Sequence, residues 1–112
     1  MPRPKKKNKE TRRQKHLRLS YGWTESIYEH VLLMQGMSCA ICGSEDPKHW
    51  SGKFSVDHNH ETGEPRGCLC FKCNSAIGNF NEDINSIKNA ITYLNEHAGT
   101  DWSSKPASSA VA

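Results

Sequence analysis

The chain has 112 residues, 35% of them hydrophobic, with fifteen Lys/Arg, twelve Asp/Glu and a formal net charge of +3. That length suits one compact domain with a thin core, which small proteins commonly reinforce with disulfides or a metal. No apolar run approaches the roughly 18 residues of a membrane span, and the basic N-terminus lacks the apolar segment of a secretory leader.

Residues 1–19 read as a disordered basic arm. Residues 1–18 hold nine Lys/Arg against Glu10 alone, and Pro2 and Pro4 punctuate a stretch almost without apolar side chains. The rest of the chain holds six Lys/Arg against eleven acids, so a basic arm is joined to a mildly acidic body. Such an arm suits a polyanion, with Lys5, Lys6, Lys7, Arg12 and Arg13 neutralising phosphates. A merely solvated tail is the other reading.

Thr24 then suits an N-cap, and Ile27, Tyr28, Val31, Leu32 and Met34 fall at helical spacing before a stop at Gly36. A Gly/Ser/Asp/Pro-rich stretch follows. Phe54-Ser55-Val56 alternates like a short strand leading into Asp57, residues 61–64 form a turn signal, and residues 66–69 suit a returning strand. A helix is expected from Cys70 or Phe71 past Ile77. Asp83 suits the cap of a last helix whose Ile84, Ile87, Ile91 and Leu94 share one face for packing, with Gly99 beyond its end. The domain reading is thus an arm over 1–19, a folded body over 20–99 and a disordered tail over 100–112.

Two C-x-x-C pairs, Cys39/Cys42 and Cys70/Cys73, stand 27 residues apart. Each pair can grip one ion at a tight turn, and four thiolates close a tetrahedral structural zinc site with no open position for water. A redox C-x-x-C is the competing reading, and reducing surroundings would leave the thiols free for metal. The fifth, Cys68, reads as a small buried hydrophobe.

Between the pairs lies Asp57-His58-Asn59-His60, and Asn74 directly follows the last cysteine of the second pair. In a hairpin followed by a helix, the end of one strand can face the first helical turn. Asp57 and Asn74 would then offer hard oxygen ligands to a Mg²⁺-like ion, and His58 would serve as general base toward water. The plain alternatives are a turn aspartate, surface histidines and a capping asparagine.

In order, Cys39, Cys42, Val56-Asp57-His58, His60, Thr62-Gly63, Arg66-Gly67, Leu69-Cys70, Cys73-Asn74, Ala76 and Gly78 closely resemble the recombination endonuclease VII family of phages. That family sits within the HNH, or His-Me finger, nucleases, and the likeness covers about residues 37–95. It implies a small α+β fold with a ββα-metal core, a four-cysteine structural zinc site and flanking helices. It further implies a metal-dependent DNA endonuclease. His58 would be the base, Asp57 and Asn74 would hold one Mg²⁺ or Mn²⁺, and His60 would assist on phosphate or metal. Arg66 would hold a phosphate or brace the hairpin. Products would carry 5′-phosphate and 3′-hydroxyl ends, and the substrate would be duplex or branched DNA in the host cytoplasm. The adjacent letters His58-Asn59-His60 coincide with the family name only in spelling; the functional asparagine corresponds to Asn74. Two departures stand out. Ile77 replaces an acidic residue of the junction-resolving member, and the sequence ends soon after residue 98, so junction specificity does not carry over and a homodimer stays open. The alternative function is a non-catalytic zinc-braced nucleic-acid-binding module, which would have no need of Asp57, His58 and Asn74 around one point.

Overall fold

In the computed structural model, which describes residues 9–99, the chain runs α1 (Arg12–Tyr21), α2 (Glu25–Met34), β1 (Ser55–His58), β2 (Pro65–Leu69), α3 (Phe71–Asn79) and α4 (Ile84–Glu96). Lys5, Lys6, Lys7 and the tail from Thr100 lie outside the described residues. Contacts divide the chain into two units, with the boundary between Ala76 and Ile77 inside α3. Among the described residues, no helix is long and apolar enough to cross a membrane.

The first finding corrects the sequence reading. Residues 12–21 form a helix rather than a continuation of a disordered arm. The Thr11 hydroxyl accepts from the Gln14 N–H at 3.1 Å, and the Gln14 side chain accepts from the Thr11 N–H at 2.8 Å, a reciprocal capping box. Gly22 takes the left-handed conformation that ends the helix. The helix has one buried residue, Leu17, at 1% exposure. Arg13 is engaged within the fold: its Nε lies 2.8 Å from Glu25 Oε1, and its guanidinium sits 4.4 Å from the centre of the Tyr28 ring. A charged sequence is therefore ordered by one apolar anchor and one ion pair with cation–π support. Leu17→Ala is expected to cost about 2–5 kcal/mol. Urea denaturation measures this, and a loss under about 1 kcal/mol would show that α1 is not docked.

The second helix follows its sequence signals. The Thr24 hydroxyl accepts from the Ile27 N–H, and Tyr28 and Leu32 face the core. At its end the N–H groups of Gly36 and Met37 donate to the carbonyls of Leu33 and Leu32. The Tyr28 hydroxyl reaches the residue before strand β1, accepting from the Phe54 N–H at 3.0 Å and donating to the Phe54 carbonyl. Burial, first among several influences, pushes the Tyr28 phenol above its ordinary pKa.

The two strands pair antiparallel, with Val56 opposite Cys68, Asp57 opposite Gly67 and His58 opposite Pro65. One residue of β2, Arg66, is therefore extra, and the ladder bulges beside Asp57 and His58. A two-stranded sheet leaves unpaired backbone groups at its edges, and Gln35 answers this at β2. Its side-chain nitrogen donates to the Cys68 carbonyl at 2.8 Å, and its oxygen accepts from the Cys68 N–H at 2.9 Å. A Cβ added at Gly67 would stand 2.9 Å from that oxygen, which accounts for the glycine. Leu17, Tyr28, Leu32, Phe54, Leu69 and three cysteines form the buried set.

In the second unit, Asp83 caps α4 as expected, accepting from the Asn85 N–H and the Ser86 hydroxyl. These hydrogen bonds, Ser86 first, hold its carboxyl below the usual pKa. Of the expected packing face, Ile84, Ile91 and Leu94 are exposed.

Candidate functional site

Two local turns build the cysteine cluster. In the first, the Gly43 N–H donates to the Cys39 carbonyl, Gly43 adopts φ 74°, and the Ile41 N–H points to Cys39 Sγ at 3.5 Å. In the second, α3 starts at Phe71, so the Cys73 N–H meets Cys70 Sγ at 3.4 Å and the Asn74 N–H meets the Cys70 carbonyl at 3.0 Å. The Ala40 N–H donates to the Cys68 carbonyl, tying the first turn to β2. The ligand sulfurs of Cys39, Cys42, Cys70 and Cys73 all lie within 4.8 Å of one another, and Cys42 and Cys70 are 3.8 Å apart. Tetrahedral zinc with bonds of about 2.3 Å requires sulfur–sulfur edges of roughly 3.8 Å, so the cluster can hold such an ion.

Charge favours a cation there. Burial opposes ionisation of Cys39, but N–H groups of Cys70, Cys42 and Ile41 outweigh it and hold the thiol at about 6. Burial pushes Cys73 up to about 12, helped by hydrogen bonds to the other three sulfurs and by the Cys39 charge. Four crowded sulfurs cannot all ionise without a positive charge among them. Cys68 stays outside the cluster, fully buried, and burial raises its thiol to about 11.

Asp57 and His58 end β1. Asp57 is 8% exposed, and its carboxylate is held on both oxygens by Arg66, with Nε to Oδ2 at 2.7 Å and Nη2 to Oδ1 at 3.0 Å. The bulge lets one side chain of β2 grip one of β1 in this way. This ion pair braces the hairpin. A bidentate pair uses one lone-pair site on each oxygen and leaves the others free to accept.

The His58 ring is half-buried and stacked on the exposed His60, with centroids 4.7 Å apart and planes at 28°. On another side the Tyr21 ring of α1 lies 5.6 Å from His58, and Tyr21 in turn meets His16 edge-on at 5.7 Å. Burial, then the nearby Asp57 charge, raises the Tyr21 pKa. Tyr21 escaped the sequence reading because nothing local ties it to a histidine 37 positions away; the only hint was an aromatic closing a basic helix.

Asn59 serves the loop. Its side-chain oxygen accepts from the N–H groups of Glu61 and Thr62, and its backbone pairs with Gly63 and Glu64. Asn74 is half-buried in the first turn of α3, one residue beyond Cys73.

Residues 14–96 match the model of the recombination endonuclease VII family. The Gene 59 proteins of Mycobacterium phages L5 and D29 are each 40% identical to the chain over 76 residues, 67% of its length. The matched part is 45% of each relative, so the chain spans less than half the length of the curated relatives it matches. No solved structure matches the chain.

Proposed function

The chain belongs to the recombination endonuclease VII family, and from that premise we propose that it is a metal-dependent DNA endonuclease that hydrolyses phosphodiester bonds. The observation that carries the reading is the join between two constellations. The hairpin presenting Asp57 and His58 leads directly into Cys70, and the second cysteine pair spans the start of the helix bearing Asn74. The order β1, β2, α3 suits a ββα-metal core of the HNH type, with the cysteine cluster holding structural zinc.

The donor set suits a second, harder cation. Asp57 and Asn74 are the oxygen ligands proposed to hold Mg²⁺ or Mn²⁺, and the lone pairs that Arg66 leaves on Asp57 fit that use. Such an ion, when bound, supplies charge stabilisation for the scissile phosphate and the departing 3′ oxygen. His58 takes the proton from the attacking water, leaving 5′-phosphate and 3′-hydroxyl ends. His60 keeps the His58 ring in place by stacking and, in this reading, assists on phosphate. Arg66 keeps Asp57 oriented, gripping both of its oxygens. Phosphate contacts fall to Arg12 and the other exposed bases of α1, and to Lys5, Lys6 and Lys7.

Tyr21 acts in this scheme as a positioning residue for His58. Tyr21→Ala is expected to slow cleavage by about ten- to a hundredfold, since small misplacements of a catalytic group cost that much. Tyr21→Phe should restore most of the rate, because the ring does the packing. Equal rates for Tyr21→Ala and the parent would remove Tyr21 from the site.

The direct test is cleavage of supercoiled plasmid and of a synthetic four-way junction, with and without Mg²⁺. Nicked or linear plasmid appearing only with the ion is the expected result. Faster cutting of the junction would extend the activity to branched DNA. Firm DNA binding with no cleavage under any divalent ion would establish the zinc-braced binding module instead.

A further inference from the structure

Helix α1 carries a histidine that the chemistry above does not use. His16 is exposed, yet two contacts hold its ring: an edge-on meeting with Tyr21 at 5.7 Å and a 3.2 Å approach of Nδ1 to the Ser20 hydroxyl. An exposed side chain held in this way has already lost part of its rotamer freedom before a partner arrives. With the hydroxyl donating to Nδ1, a neutral ring keeps its proton on Nε2, and a charged ring has one there as well. Either form then offers an N–H to an incoming acceptor.

The position of this donor is informative. His58 meets Tyr21 at 5.6 Å, and Tyr21 meets His16, so His16 stands one ring removed from the proposed base. Arg12 precedes His16 by four residues, about 6 Å along the helix axis, and is exposed. Acids do not cancel the charge here. Glu10 is paired with Arg18 at 3.2 Å and Glu25 with Arg13 at 2.8 Å. The exposed Arg12 and Lys15 are in no ion pair among the described residues.

A preset donor beside uncommitted cations suits phosphate. A nucleic-acid backbone fits better than an acidic protein, because its anions recur at a regular step along each strand. One of those anions stands at His58 if that residue activates the attacking water, and its neighbours then lie within reach of the adjoining helix. We propose that His16 binds the backbone phosphate next to the scissile one, with Arg12 on the phosphate beyond, so that α1 holds the cut strand along one side of the site. This rests on reading the chain as a DNA endonuclease and adds a substrate-positioning residue to it.

The test compares His16→Phe with His16→Lys in the full, zinc-loaded chain. Phenylalanine keeps a ring against Tyr21 but has no N–H; lysine keeps a donor but no ring. Zinc content and thermal melting confirm that both fold, as expected for an exposed helical position. Equilibrium binding to labelled duplex without Mg²⁺ should weaken about tenfold in His16→Phe, the size of one hydrogen bond to a charged group, and stay within about threefold of the parent in His16→Lys. Single-turnover cleavage with Mg²⁺, at protein concentrations that saturate the duplex, should be about tenfold slower in His16→Phe. Lys15→Ala, which only weakens binding, should regain the parental rate at saturation. Parental binding by His16→Phe, with His16→Lys the weaker variant, would make the ring a prop for Tyr21 and overturn the proposal. Weaker binding with an undiminished rate at saturation would overturn the placement beside the cut. A parent that binds duplex but cuts none under any divalent ion would refute the nuclease reading and that placement together, while the binding comparison still decides whether His16 holds phosphate.

Discussion

His58→Ala is expected to reduce cleavage by about 10²- to 10⁴-fold, the range of a lost general base, while zinc content and DNA binding stay at parental levels. The separation is what makes the prediction useful. His58 is not among the four clustered ligands, so its removal leaves the cysteine site whole. The ring is half-exposed, and its contacts are with other aromatic rings rather than with the buried set, so truncation leaves no deep cavity. His60→Ala is expected to do less, because it removes the stacking support and leaves the base in place. Single-turnover cleavage of labelled duplex measures both. A fully active His58→Ala protein would mean that the water is activated elsewhere, with His60 the first residue to examine.

The parts of the fold that were legible in the sequence are those whose cause is local. Thr24 and Asp83 cap helices through hydrogen bonds to residues two or three positions on, and both appear where the side-chain chemistry indicated. The C-x-x-C pairs carry their own turn geometry, so each pair's bite follows from spacing, while their meeting rests on the contact of the first turn with β2. Helix α1 was also written locally, in Thr11 and Gln14 before it and Gly22 after it, but its charge and its single apolar anchor masked the signal. Other features depend on contacts that no local pattern encodes. Gln35 completes the edge of β2 from 33 residues away, Tyr21 reaches His58, and Arg13 spends its charge on Glu25. Arg66 was noticed, but only the bulge, which removes it from the ladder, explains its grip on Asp57. His16 carried no expectation, because a single histidine in a basic segment has no pattern until its neighbours in space are known.

Cys70→Ser is expected to unfold the first unit. Cys70 is fully buried at the joint between β2 and α3, and its sulfur lies 3.8 Å from that of Cys42. A hydroxyl there cannot stand in for a thiolate, and three sulfurs would hold the ion far more weakly. The magnitudes settle the outcome. Small domains retain about 5–15 kcal/mol of net stability, while structural zinc supplies roughly 10–16 kcal/mol of binding free energy coupled to folding. A buried set whose largest fully buried side chains are Leu17, Cys68 and Cys70 has little to offset such a loss. Cys68→Ala supplies the control. Cys68 is as buried but outside the cluster, so its replacement removes one small apolar group, costing on the order of 1 kcal/mol, and leaves zinc binding intact. Metal content by emission spectroscopy, with thermal unfolding followed by circular dichroism, distinguishes the two variants. A Cys70→Ser protein that melts cooperatively near the parental temperature without zinc would show that the cysteines are not what holds the hairpin and helix together.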